Sequence, residues 1–294
     1  MNYNIAVLSR GYKRKTKGFL VANSNSTPDS IGDEPMQIYQ KFGTRVKVAV
    51  CEDRRKGIKE LLKAFPDIQL IVMDDAFQHR YVKPKVSILL MDYNRPVYKD
   101  HLLPLGRLRE SSHQTNRADM VIVTKCPNTL MPLNYRLVSK ELDLMPYQNL
   151  YFSRYMYGGL LSVFPDDEPY SVSLQSLTSD DTVMLLTGIA NPRDFVRHFK
   201  DYPFKVKVYH FPDHHNFTRE DINSIHEKFR NLSGARKIII TTEKDSVRLA
   251  YNPYYPSDLK KVTFFIPVAV KMVNGLNESD FISDLRKAID AGSK

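Results

Sequence analysis

An apolar run closes on two adjacent acids at Ile71-Val72-Met73-Asp74-Asp75. Carboxylates at a strand end can hold the Mg²⁺ that bridges the β- and γ-phosphates of a nucleotide, which makes Asp74 and Asp75 candidate metal ligands. The same pattern arises where a strand simply runs into an acidic turn. Ala76-Phe77-Gln78-His79-Arg80 follows directly and is unusual company for such a turn. A second carboxylate cluster lies at Gly32-Asp33-Glu34-Pro35, where Pro35 suits the first turn of a helix. Asp33 there either balances the helix dipole or serves as a general base that takes the proton of an acceptor hydroxyl.

Three further groups carry charge chemistry. Pro104-Leu105-Gly106-Arg107-Leu108-Arg109-Glu110 joins two cations to an acid. It is either a solvated loop or a site in which Arg109 offsets transferring phosphate charge and Glu110 contacts the metal. Phe211-Pro212-Asp213-His214-His215 forms an H-x-x-x-H pair with His210, which raises zinc, but Pro212 argues against the helix that spacing needs. His214 orienting or polarising a separate acid is the other reading. Arg10 to Lys17 holds five cations in eight residues, suited to phosphate or anionic lipid headgroups. Arg10, Tyr12 and Lys13 are its candidate substrate contacts, and Lys125, after the apolar run 118–124, is a candidate nucleotide contact.

These groups sit at the ends of short β-branched runs. Ile5–Ser9, Arg45–Cys51, Ile68–Asp75, Val86–Asp92 and Ala118–Lys125 read as strands covered on both faces, because their apolar runs are nearly continuous. Arg54–Phe65 has helical spacing between them. This alternation predicts an open, largely parallel α/β sheet, whose ligands bind at strand ends. Residues 147–174 read as two extended strands, a β connector broken at Gly158-Gly159. Alternation resumes at Thr182, with a capping box at Thr218 and Asp221, and runs through KIIITT and VTFFIPVAV to a last helix. The expected organisation is an N-terminal lobe over 1–146, a connector over 147–180 and a second, smaller α/β lobe over 181–294.

Composition narrows the class. At 42% hydrophobic and 26% charged residues in 294, the chain is globular, with two domains expected. Two cysteines, Cys51 and Cys126, give no zinc-ribbon spacing and no disulfide framework. No apolar run reaches the roughly 20 residues of a spanning helix, and no signal peptide opens the chain. Lys and Arg exceed Asp and Glu by 43 to 33, a formal +10, which favours a polyanionic partner or a basic surface kept for solubility. None of the twelve glycines is followed by lysine, so the phosphate-cradling G-x-x-x-x-G-K-[ST] loop is absent from these residues.

The motifs together resemble the tetraacyldisaccharide 4′-kinases, the lipid A 4′-kinases of Gram-negative bacteria. The matching stretches are 9–12, 32–35, 73–79, 103–110, 123–125, 186–192, 213–215 and 241–245, in the family's order and over nearly the whole chain. The resemblance implies a P-loop-kinase-like fold and ATP- and Mg²⁺-dependent phosphorylation of the 4′-hydroxyl of a tetraacyldisaccharide 1-phosphate, giving lipid IV-A. It implies peripheral work at the cytoplasmic face of the inner membrane, with no nucleic acid as partner. By position, Asp33 matches the catalytic base and His214 its partner from the second lobe, brought to it by lobe closure. Asp74, Asp75 and Glu110 match the metal and phosphate-organising acids, and Arg109 the phosphate-contacting cation.

The chain departs from that family at its start. It opens at a strand that family members place after a membrane-associating helix and a βαβ unit, on the order of 30 residues, bearing the Gly-Lys-Thr loop. A shortened chain or a late start codon is the expected cause, with poor ATP binding as its consequence. Two other readings stay open: a non-catalytic protein that binds anionic lipid or nucleotide, and a nucleic-acid or nucleotide-binding regulator.

Overall fold

The computed structural model describes residues 3–167, 169–273 and 278–291. Its secondary structure is mixed α/β with largely parallel sheets. Contacts group the chain into two compact units, one joining Asn2–Asp74 with Tyr157–Pro267 and the other joining Asp75–Met156 with Val268–Lys294. These divisions differ from the linear boundaries at 146 and 180. The chain leaves the first unit and returns to it, and no shift in composition marks a discontinuous unit.

In the first unit, Ile5–Ser9 lies between Lys47–Val50 and Leu70–Met73, parallel to both, with Val7 opposite Val48 and Val72. Leu20–Val21 adds an antiparallel edge. The helix Arg54–Ala64 covers this sheet. Asp53 starts it by accepting from the amides of Arg55 and Lys56, and Leu61 is buried against Ala6 and Leu8.

The same unit contains a second sheet in the order Lys205–His210, Thr182–Thr187, Lys237–Thr242, Thr263–Ile266 and Leu161–Ser162. All pairs are parallel except the short last one. Its strand Thr182–Thr187 is buried throughout, as a near-continuous apolar run requires. The helix Arg219–Arg230 starts with the Thr218/Asp221 capping box read from the sequence, and buries Ile222, Ile225 and Phe229. The helices Asp33–Phe42 and Glu243–Ala250 share a small core in which Met36 and Val247 are buried.

The second unit carries a sheet in the order Val268–Val273, Asn149–Tyr157, Met120–Thr124 and Ile88–Asp92. The helix Pro132–Leu142 and the helix Glu278–Asp290 pack on it through Val138 and Leu142 and through Phe281 and Leu285.

Two local expectations change. The run 262–270 forms two strands in different sheets, Thr263–Ile266 and Val268–Val273, because Pro267 has no amide to donate to a ladder. Tyr170–Leu174 forms no strand, and a 3-10 turn covers Leu174–Ser176. Asn149–Tyr157 and Leu161–Ser162, the extended pieces around Gly158-Gly159, join different sheets.

Candidate functional site

The helix Asp33–Phe42 begins at Asp33 itself, with Gly32 as N-cap and no side-chain cap. The hydrogen bonds of the Asp33 carboxylate go to Arg248 and His214, and none goes to an amide of its own helix. Gly32 holds φ 95°, and a Cβ there would lie 3.1 Å from the Tyr12 carbonyl oxygen. Only glycine lets the 9–12 loop pass this close to the helix start.

Three donors converge on one oxygen of Asp33. Arg248 Nε donates to Oδ2 at 2.8 Å, Arg248 Nη2 donates to the same atom, and His214 Nδ1 lies 3.4 Å from it. No described group bonds to Oδ1. The side chains of Arg248 and Asp33 are 5% and 16% exposed, so their attraction acts under weak solvent screening.

His214 sits at φ 56°, and its amide donates to the Gly188 carbonyl at 3.3 Å. Its Nε2 faces Lys244 Nζ at 2.9 Å, and the Tyr12 ring meets it edge-on at 5.3 Å. Lys244 also approaches Glu34 at 3.4 Å and Asp213 at 3.5 Å. Arg248 in turn contacts Asp245, which is fully buried. Asp245 accepts from the Gly188 amide at 2.8 Å and the Thr242 hydroxyl at 2.7 Å. Burial raises the Asp245 carboxyl above its ordinary range, against the opposing pull of those hydrogen bonds and of Arg248.

The other two histidines are engaged elsewhere. His210 Nδ1 pairs with the Thr187 hydroxyl at 2.9 Å, and His215 Nε2 with Asp221 at 2.7 Å. His210 ends a strand, so the H-x-x-x-H spacing lies on no helix. Among the described residues, no three His, Cys, Asp or Glu side chains gather as a metal cluster within either unit.

Asp33 and His214 thus belong to one unit and already lie side by side, whereas the linear domain reading put them in separate lobes that had to close. In the same unit, Arg10, Tyr12 and Lys13 are exposed, while Arg14 and Lys15 of that basic loop pair with Glu52 and Asp29, each at 2.6 Å. Asp74 lines a cleft of about 210 Å³ with Glu34, Gln37, Ile38 and Lys41.

The remaining candidates occupy the other unit. Asp75 is exposed at φ 45°. Arg109 donates to Gln78 at 3.1 Å, and Glu110 takes Arg80 and Arg117, each at 3.0 Å. Lys125 holds Asp92 at 2.6 Å. Burial raises the Asp92 carboxyl, but the Lys125 ammonium and the hydrogen bonds from Asn94 together outweigh it and leave the group below the ordinary range.

Sequence reasoning gave no role to Arg248, Lys244 or Asp245. Their signal was present: Thr242 three residues before Asp245 is a cap, and Asp245 and Arg248 lie on one helix face.

The chain matches the family model described as LpxK, Tetraacyldisaccharide-1-P 4'-kinase, over residues 1–290. It is 46% identical to the Tetraacyldisaccharide 4'-kinase of Bacteroides thetaiotaomicron over 95% of this chain and 74% of that one. It is 40% identical to the protein of that name from Flavobacterium psychrophilum over 95% of this chain and 76% of that one. Its fold matches the crystal structure of LpxK from Aquifex aeolicus in complex with ATP. That match has a TM-score of 0.67 and 25% identity, and covers 98% of this chain and 80% of that one. With a fold of this kind, and with sequence similarity running through the Asp33 and His214 segments, the chain belongs to the tetraacyldisaccharide-1-P 4'-kinase family.

Proposed function

We propose that this protein transfers the γ-phosphoryl group of ATP to the 4′-hydroxyl of a tetraacyldisaccharide 1-phosphate, giving lipid IV-A, with Asp33 as the general base. The observation that carries this reading is the asymmetry of the Asp33 carboxylate: every donor engages Oδ2, and Oδ1 has no partner among the described residues. An unengaged carboxylate oxygen beside a positioned imidazole suits removal of a hydroxyl proton. The hydroxyl donates to Oδ1, and its proton passes there as the oxygen attacks the γ-phosphorus and the bond from that phosphorus to the β,γ-bridging oxygen breaks, releasing ADP. His214 orients the carboxylate from its other side. Arg109, exposed and held by a single neutral partner, is available to a phosphate oxygen.

Phosphoryl transfer also calls for Mg²⁺, which neutralises phosphate charge when bound. Asp74 and Asp75 have the hard oxygen donors this ion takes and would hold it. Glu110, already engaged by two arginines, fits an organising role better than that of a direct ligand. Lys125 contributes to the nucleotide site from its pair with Asp92, and Arg10, Tyr12 and Lys13 meet the acidic sugar or the anionic membrane surface on which the lipid lies.

The test is transfer of labelled phosphate from ATP to the lipid acceptor, with D33N as the blank. No transfer with ATP and Mg²⁺, by the chain alone or with a Gly-Lys-Thr phosphate loop fused ahead of it, would refute the reading. A second reading, a non-catalytic binder of anionic lipid or nucleotide, is favoured by the lack of any Gly-Lys step in these residues. It predicts weak ATP binding by the 294-residue chain, measurable by calorimetry, and no transfer in either form.

A further inference from the structure

The way Arg248 meets Asp33 is unlike an ordinary arginine–carboxylate pair. A guanidinium and a carboxylate usually join fork to fork, each nitrogen on its own oxygen. Here Nε and Nη2 both donate to Oδ2. A pair built only to bridge two helices would gain more from engaging both oxygens. The arrangement gives up that second bond and leaves one oxygen open.

Arg248 is itself held from behind. Its Nη1 contacts Asp245 at 3.4 Å and the His215 carbonyl at 3.4 Å. Asp245 is anchored by the Gly188 amide and the Thr242 hydroxyl, and a Cβ on Gly188 would come within 3.0 Å of its Oδ1. The guanidinium therefore has little freedom, and neither does the carboxylate it grips. Lys244 completes the set from the same helix. An ammonium can only donate, so its 2.9 Å contact makes Nε2 the acceptor nitrogen of His214 and leaves Nδ1–H to face Oδ2.

We propose that Arg248, anchored by the buried Asp245, is a positioning residue that holds Asp33 by Oδ2 and presents Oδ1 as the proton-accepting oxygen, while Lys244 sets the tautomer of His214. The claim rests on the reading of Asp33 as general base, and it adds that the helix Glu243–Ala250 aligns that base. Arg248 touches neither the hydroxyl nor the phosphate. Its loss therefore lowers turnover through misalignment and leaves substrate binding nearly intact.

Two measurements test this on the same protein. The first is kinase turnover for R248M and R248K. R248M should lower kcat about 100-fold with KM within about threefold, and R248K, which keeps a cation at the site, should restore most of the loss. Equal activity of R248M and wild type overturns the proposal, as does a loss confined to KM. A wild-type protein with no transfer sinks the kinase reading instead, and the second measurement then decides the positioning claim.

That second measurement is nuclear magnetic resonance of histidine-labelled protein. The His214 Nδ1 proton should be visible in wild type and R248K and lost to exchange in R248M. The His215 proton bonded to Asp221 should persist and report the fold. If R248M loses both signals by unfolding, D245N decides: loss of the His214 signal alone supports the proposal, and an unchanged signal overturns it.

Discussion

Lys244 Nζ lies 2.9 Å from His214 Nε2, on the side of the ring opposite Asp33. Because an ammonium has no lone pair, this one contact assigns both ring nitrogens: Nε2 accepts, and Nδ1 carries the proton toward Asp33 Oδ2. Arg248 Nη2 also lies 3.2 Å from Nδ1, but with Nε2 accepting from Lys244 the one ring proton sits on Nδ1, so this approach is not a hydrogen bond. The helix Glu243–Ala250 thus sets the state of two groups that the sequence places far from it.

If Asp33 and His214 act together, their losses are not additive. D33N should lower kcat by about 10²- to 10⁴-fold, the usual contribution of a positioned base. H214Q in the D33N background should then cost much less than it does alone. A double-mutant cycle on kcat checks this, and equal costs in both backgrounds would show that the residues act independently.

Gly32 is required by conformation. At φ 95°, with the Tyr12 carbonyl 3.1 Å from the position of an added Cβ, alanine is both strained and crowded. G32A should cost about 1–2 kcal/mol of stability and shift the start of the Asp33 helix, lowering turnover as well. Urea unfolding and kinetics on one preparation measure both, and a variant as stable and as active as wild type would contradict the packing described.

Asp181 should make part of the stability pH-dependent. Its buried carboxylate accepts from Arg236 Nε, Nη2 and amide, and from the Thr178 amide. The Arg236 hydrogen bonds foremost, against the opposing effect of burial, hold it well below the ordinary carboxylate range. The folded value is depressed, so the stabilisation is complete above the unfolded value near ~4 and is lost as pH falls through the folded value. D181N should lower stability by about 2–3 kcal/mol at pH 7, the scale of a hydrogen bond to a charged group. The gap from wild type should narrow as pH falls below about 4, read from unfolding curves across that range. A gap that stays constant would disprove the linkage.

Cys126 should be inert in the folded protein. Burial pushes its thiol up to about 11, and Sγ points to the Val123 carbonyl at 3.5 Å. Little thiolate forms at pH 8, and reagent has little access to it. Alkylation followed by mass spectrometry should modify Cys126 in urea and leave it unmodified in buffer within the same time.

The sequence alone determined what depends on neighbours along the chain. Continuous β-branched runs mark Ile5–Ser9, Thr182–Thr187 and Lys237–Thr242, and the capping box at Thr218 marks a helix start to the residue. Glycine and proline beside Asp33 mark its helix. These signals arise from backbone sterics and hydrogen bonds within a few residues, so a single strand of text carries them. The alignment of Asp33 was decided only in three dimensions. Arg248 lies 215 positions away and reaches it because Met36 and Val247 are buried in one apolar cluster shared by the two helices. The division at 74, 156 and 267 has the same origin: which segments share a core follows from summed burial across the fold, and no local pattern encodes that sum.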